Sequence, residues 1–227
     1  MRAVLLLLLL AGCAVKTDFP GQSFLGAKYI NSPLGEGYGI DPDPLIRADA
    51  FDCTTFVETV LSNNDLQKLN KIRYKDGDVD FLNRNHFIEL DWLQNNADLI
   101  KDITAQYGKT DIKQVIIDKK SWFKKVHNLD TDFAPQVVNI EYLPYENITD
   151  LKANKTMIVL FVADNSKNRD KIGTDLGVVH MGLLLPNGIL RHASSEYKKV
   201  MDVGFDEYIQ QRRRTKTNLG IILLEIK

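Results

Sequence analysis

Three residues of this 227-residue chain have the types and settings that nucleophilic chemistry needs. Cys53 stands in Phe51-Asp52-Cys53-Thr54-Thr55-Phe56-Val57, with Phe56, Val57, Val60 and Leu61 following it on one helical stripe. Asp52 is a good N-cap type, able to accept from the backbone N–H of Thr54 or Thr55, so the spacing predicts a helix that opens at Cys53. A thiol in a first turn lies at the positive end of the helix dipole. Cysteines activated in this way titrate at roughly 3–7, against about 8.5 for a free thiol. The expectation is therefore a lowered thiol pKa.

The candidate base is His180, within the otherwise apolar run Val178 to Leu185. Strand alternation puts it on one face with Val178, Gly182 and Leu184. Alone it reads as a core histidine; His192 changes the weighting. If Pro186-Asn187-Gly188 is a three-residue loop with Gly188 left-handed, Leu185 pairs with Ile189 and Gly182 with His192. His180 and His192 are then diagonal neighbours, with glycine leaving the space between them open. A two-residue Asn-Gly turn would send His192 to the other face. In the first register Cys53 is a nucleophile, His180 takes its proton and His192 fixes the imidazole. The chemistry is acyl transfer: attack on an amide carbonyl, an oxyanion held by the Cys53 N–H, then hydrolysis of a thioester.

The elements that must position these groups are helix-rich early and strand-rich late. Phe24 to Ile30 is expected as a short helix. Residues 31–48, dense in glycine and proline, are expected as an irregular loop. Gln114 to Ile117, Met157 to Ala163, Val178 to Leu185, Ile189 to Ala193 and Leu219 to Ile226 read as strands, and Asp206 to Arg213 as a helix. Asn147-Ile148-Thr149-Asp150 suggests a helix start. This order argues an α+β domain with an antiparallel sheet.

Composition bounds the function. The chain is 44% hydrophobic and 26% charged with formal net charge −1, which suits one globular domain and gives no electrostatic case for nucleic acid. The run Arg212-Arg213-Arg214-Thr215-Lys216 reads as a solvated helix end. One thiol and scattered histidines lack the spacing of a zinc site, so no metal or other cofactor is expected. Ser194-Ser195 lacks a Gly-x-Ser-x-Gly elbow.

Residues 1–12 have the form of a signal peptide, with an unbroken apolar run from Val4 to Leu10 that is too short to span a bilayer. Leu10-Ala11-Gly12-Cys13 resembles the lipobox of bacterial lipoproteins. That implies acylation of Cys13, a polar tether over 13–20 and a domain over 21–227. The alternatives are an ordinary secretory signal or a Cys13–Cys53 bridge. Ala14, rather than an aspartate, follows the lipidated position. By analogy this implies the periplasmic side of an outer membrane, with contact to the membrane through Cys13.

The motif residues carry a second resemblance. Asp52-Cys53-Thr54-Thr55-Phe56, His180-Met181-Gly182-Leu183, Asn187-Gly188 and His192-Ala193-Ser194-Ser195 are similar to the NlpC-like papain-fold peptidoglycan hydrolases. Pro44 through Glu58, and Arg84-Asn85-His86-Phe87 with Asp91-Trp92, resemble their N-acetylmuramoyl-L-alanine amidase-like branch. The resemblance implies a papain-like core of N-terminal helices packed on a C-terminal antiparallel sheet. It implies Cys53, His180 and His192 as catalytic residues, no metal, and muropeptides as substrate, with a monomer expected. The bond implied joins the muramic acid lactyl group, in 1,6-anhydro fragments, to L-alanine. The alternatives kept open are a γ-D-glutamyl–diaminopimelate endopeptidase of the same fold and a non-catalytic muropeptide-binding lipoprotein.

Further residues are weighed for the substrate groove. His86, Arg84 and Trp92 suit a sugar ring and a carboxylate, or equally a structural hydrogen-bond cluster. Arg47 and Asp49 can pair to hold the loop before the nucleophile, and Asp49 is also a substrate-binding candidate. Tyr38, in the glycine-rich loop, is placed near the thiol by analogy with related enzymes. His127, in a lysine-rich stretch, is expected to be exposed and uninvolved.

Overall fold

The structure, a computed structural model, describes residues 19–149 and 151–227. The leader, Cys13 and most of the tether lie outside the described residues. Phe19 and Pro20, at the tether's end, are within them: their carbonyls accept hydrogen bonds at 3.1 and 3.0 Å from Arg191 Nη1.

The strands are β1 (Lys28–Tyr29), β2 (Ala50–Phe51), β3 (Ile100–Asp102), β4 (Asp111–Ile117), β5 (Gln136–Pro144), β6 (Met157–Ala163), β7 (Val178–Leu184), β8 (Ile189–Ser194), β9 (Lys199–Gly204) and β10 (Asn218–Ile226). The helices are α1 (Cys53–Ser62), α2 (Leu66–Arg73), α3 (Leu93–Asn95), α4 (Lys119–His127), α5 (Arg169–Ile172) and α6 (Phe205–Arg213). The sheet order is β2-β1-β9-β8-β7-β6-β10-β5-β4, with β3 also on β10. Its pairs are antiparallel except β1 with β2. The fold is α+β, as the element order predicts.

The unbroken apolar run of β6 exists because both faces of that strand are covered. Ile158, Leu160 and Val162 pack with Phe56 and Val57 of α1, with Trp92, and with Met181 and Leu183 of β7. Met157, Val159 and Phe161 pack on the other side with Leu184, Leu190, Phe205 and Ile209. Phe56 and Val57 are fully buried, each contributing about 1.5–3 kcal/mol. That burial seats α1, whose threonines and valines are modest helix formers. One face of the sheet thus carries α1, which begins at Cys53, and the other carries α6.

Two expectations fail for tertiary reasons. Phe24 to Ile30 is not a helix: one short turn, Gln22–Phe24, leads into β1. Gly26 N–H donates to Val200 O and Val200 N–H to Ala27 O, so pairing with β9 decides the conformation. No helix starts at Asn147, whose Nδ2 donates to Lys109 O at 2.7 Å instead. Residues 31–48 form the expected loop, apart from an isolated Tyr38–Asp41 bridge.

Candidate active site

Helix α1 begins at Cys53 behind a reciprocal cap. Asp52 Oδ1 accepts from Thr55 N–H at 2.8 Å, and Asp52 N–H donates to Thr55 Oγ1 at 3.0 Å. The second carboxylate oxygen accepts from Ser32 N–H at 3.1 Å, tying the preceding loop to the helix start. Among the described residues the Cys53 N–H has no backbone or side-chain acceptor, as an oxyanion donor requires.

The thiol is half-buried, 3.9 Å from Thr54 Oγ1 and hydrogen-bonded by the Met181 backbone, one residue from His180. Burial pushes its pKa up to about 12, and the Asp52 carboxylate adds to this; the Met181 and Thr54 hydrogen bonds oppose it. This corrects the expectation of a lowered value: the helix start is outweighed by desolvation and by the charge of the cap itself. The resting Cys53 side chain is a neutral thiol.

The β7–β8 turn adopts the three-residue register. Leu183 pairs with Arg191 and Leu184 with Leu190, Leu185 N–H donates to Ile189 O, and Gly188 is left-handed at φ 75°. His180 Nε2 lies 2.8 Å from His192 Nδ1. A Cβ at Gly182 would stand 3.0 Å from His192 Cβ, so glycine keeps the two strands close enough for this bond. Burial lowers the pKa of both rings, His180 well below the ordinary value and His192 to about 4. The other imidazole and Arg212 act on His180 in the same direction.

Helix α6 closes the opposite side. The Tyr208 ring meets His192 edge-on at 5.2 Å and Phe161 at 5.1 Å, and Arg212 lies over Phe161. Arg212 is therefore half-buried beside the imidazoles rather than part of a solvated run, and Arg213 donates to the carbonyls of Tyr145 and Ile148. Tyr29 of β1 is a tyrosine that feels the charge of Cys53 and Asp52. Its pKa is raised to about 12, by burial first and then by Cys53 and Asp52. Tyr38, expected in that role, is exposed and donates to Val79 O at 2.8 Å.

A groove of about 360 Å³ adjoins Cys53 through its neighbours Asp52 and Thr54. His86, Trp122, His127 and Phe81 line it on the aromatic side, and Arg84, Arg73 and Glu58 lie on its floor. His86 and Arg84 are thus where the sequence suggests. Trp92 is not: it is fully buried, with Nε1 donating to Glu58 Oε1 at 3.0 Å. Asp49 is exposed and paired with Arg47 at 2.8 Å, holding the loop rather than lining the groove. His127 is half-buried, 4.8 Å from the Trp122 ring, and so is part of the groove after all. Trp122, Tyr29 and Tyr208 are missed by sequence reasoning. Only the four-residue spacing of Tyr208 and Arg212 on α6 signalled a shared face. Among the described residues no group of three or more His, Cys, Asp or Glu side chains could hold a metal ion.

A model of the AmiA-like family, described as N-acetylmuramoyl-L-alanine amidase-like, matches residues 20–218. No curated protein sequence matches the chain. Protein LPG0564 from Legionella pneumophila is 27% identical with a TM-score of 0.79, covering 91% of this chain and 86% of its own. An N-acetylmuramoyl-L-alanine amidase from Bacteroides uniformis is 25% identical with a TM-score of 0.68, covering 92% and 96%. NlpC1 from Trichomonas vaginalis is 15% identical and superposes with a TM-score of only 0.31, covering 89% of this chain and 40% of its own. With a match across almost all of the described residues, the chain belongs to the N-acetylmuramoyl-L-alanine amidase-like family.

Proposed function

We infer that the chain is a cysteine-dependent peptidoglycan amidohydrolase cutting the amide between the muramoyl lactyl group and L-alanine, in 1,6-anhydro fragments. The observation that supports the reading is the His180–His192 hydrogen bond, with the Cys53 thiol held by the backbone of Met181, the residue next to His180, in a chain of the amidase-like family. The packing of the Cys53 helix against the strand that bears His180 supports this reading.

The tautomers follow from the roles. His180 Nε2–H donates to His192 Nδ1, leaving His180 Nδ1 as the lone pair that takes the Cys53 proton. As the S–H proton moves to His180, the sulfur bonds to the amide carbon and the carbonyl oxygen becomes an oxyanion. The Cys53 N–H and the Tyr29 hydroxyl are donors for it. The imidazolium, oriented by His192, protonates the alanine nitrogen as the C–N bond breaks. Water then attacks the thioester, giving its proton to His180. The C–S bond breaks, the muramic carboxylate leaves and the thiol is restored. Cys13 acylation and an envelope location, on the periplasmic side of an outer membrane, complete the reading.

Product masses from an anhydro-muropeptide, with intact chain and Cys53→Ala, test it. Free sugar plus an L-alanine-initiated peptide, absent with the variant, is expected. A cut after D-glutamate would transfer the mechanism to the endopeptidase bond. No cleavage would favour a binding role.

A further inference from the structure

His180 sits beside an irregularity in its own strand. On β7, Met181 and Leu183 pack on the α1 side of the sheet. Alternation would put Val179 with them, and Val178 with His180 on the α6 side. The reverse is found: Val178 lies in the α1-side core, and Val179 packs against the α6-side core. The ladder with β6 shows why. His180 pairs with Phe161 but Val178 pairs with Val162, so Val179 is one residue extra, a β-bulge. His180 is the first residue beyond it, with its ring 5.5 Å from that of Phe161.

The sheet alone does not pin this bend. Among the described residues β8 pairs with β7 only at Leu183 and Leu184, so the stretch from Val178 to His180 has a paired strand on one side only. Glu89 supplies the other support. Its Oε1 accepts the Gly177 N–H at 2.7 Å, and the Val178 N–H points to the same oxygen at 3.4 Å. The residue is buried and its Oε2 has no hydrogen-bond partner. Burial pushes its pKa up, and the backbone N–H groups oppose this. A half-satisfied carboxyl in a core costs stability, which packing alone does not explain.

Glu89 belongs to an unusual turn. Ile88–Trp92 is a π-helix, closed by the Trp92 N–H to Phe87 O at 3.1 Å. Such turns are rare and recur at functional sites. Two of its side chains reach in different directions. Trp92 Nε1 donates to Glu58 Oε1 at 3.0 Å, on the helix that begins at Cys53. Glu89 holds the start of the strand that carries His180. Asp91 locks the turn between them: Oδ1 accepts from Lys119 Nζ at 2.6 Å and Oδ2 from the Phe87 N–H at 3.2 Å.

We propose that this π-turn is a brace between the Cys53 helix and the His180 strand, in which Glu89 is a positioning residue that clamps the bulge and so aims the imidazole. The inference deepens the amidase reading above, on which the roles of Cys53 and His180 rest.

The test compares two variants of the full chain. Glu89→Met keeps the volume but not the acceptor, and Glu89→Gln keeps an oxygen for the Gly177 N–H. The ring-nitrogen shifts of His180, read by long-range proton–nitrogen NMR, report the imidazole without any substrate. They are expected to move in Glu89→Met and to stay native in Glu89→Gln. On a muropeptide, Glu89→Met is expected to lower kcat by about 10- to 100-fold with KM within about twofold, and Glu89→Gln to stay within about threefold of the parent chain. Leu90→Ala, buried in the same turn, controls for lost stability, and native His180 shifts and kcat are expected from it. If Glu89→Met does not fold, Glu89→Asp, one methylene shorter, takes its place, with moved shifts and a kcat loss of about tenfold expected. Unmoved His180 shifts without the acceptor, Glu89→Gln no better than Glu89→Met, or an equal loss of kcat in Leu90→Ala would each overturn the proposal. If the parent chain cuts no muropeptide, the amidase reading falls, and the NMR comparison still decides the brace.

Discussion

The Nε2 of His180 and the Nδ1 of His192 stand 2.8 Å apart across two strands that pair only near their turn. The bond couples the tautomers of the two rings, since one of these nitrogens must donate and the other accept. His192→Ala is expected to lower kcat by about 100-fold or more with little change in KM. His192→Gln, whose amide oxygen can accept the same proton, is expected to recover part of the loss. Steady-state kinetics on a muropeptide check both.

The same two rings set a pH signature. Folded His192 titrates at about 4 and His180 is shifted in the same direction, while unfolded imidazoles titrate near 6.5. Between those values the unfolded chain binds more protons, so stability is full above about 6.5 and is lost as pH falls through 4. Urea midpoints at pH 7 and pH 4.5 measure this. With a neutral base and a thiol near 12, kcat/KM is expected to show no acid limb near 6.5.

Gly182→Ala tests the space between the histidines. The new Cβ would meet Arg191 O, His192 Cβ and Leu190 Cδ1, each at 3.0 Å. The backbone oxygen cannot swing aside, so β8 must move. A stability loss of about 1–3 kcal/mol is expected from overpacking. A drop in kcat beyond what thermal melting accounts for would report the lengthened imidazole bond.

Asp52→Asn separates the cap from its charge. Asparagine caps as well as aspartate, so the helix should hold. Losing the carboxylate removes one cause of the raised thiol pKa. Alkylation of Cys53 by iodoacetamide at pH 8 is expected to speed up on the order of threefold to tenfold.

The parts of this site that the sequence made legible are local ones. The cap at Asp52, the helix stripe from Cys53 and the turn at Asn187-Gly188 are short-range patterns, and each has a structural counterpart. Tyr29 was illegible because β1 exists only by pairing with β2 and β9, strands at distant sequence positions. Trp122 and His127 lie on α4 amid lysines, so composition read that helix as solvated. The face turned to His86 is set by tertiary packing. Trp92 failed in the opposite sense: a motif residue can be a structural one, here the partner of a buried glutamate. The thiol pKa was misread because dipole and cap are visible in sequence, while desolvation is not.

A thiol kept in its protonated form has a chemical advantage besides awaiting its base. Peroxides and disulfides react with the thiolate, so oxidation tracks the thiolate population. Burial and the Asp52 charge suppress that population. Among the described residues Cys53 has no second cysteine with which to cross-link. For a thiol in the nucleophilic role proposed above, that means protection against oxidative damage between turnovers.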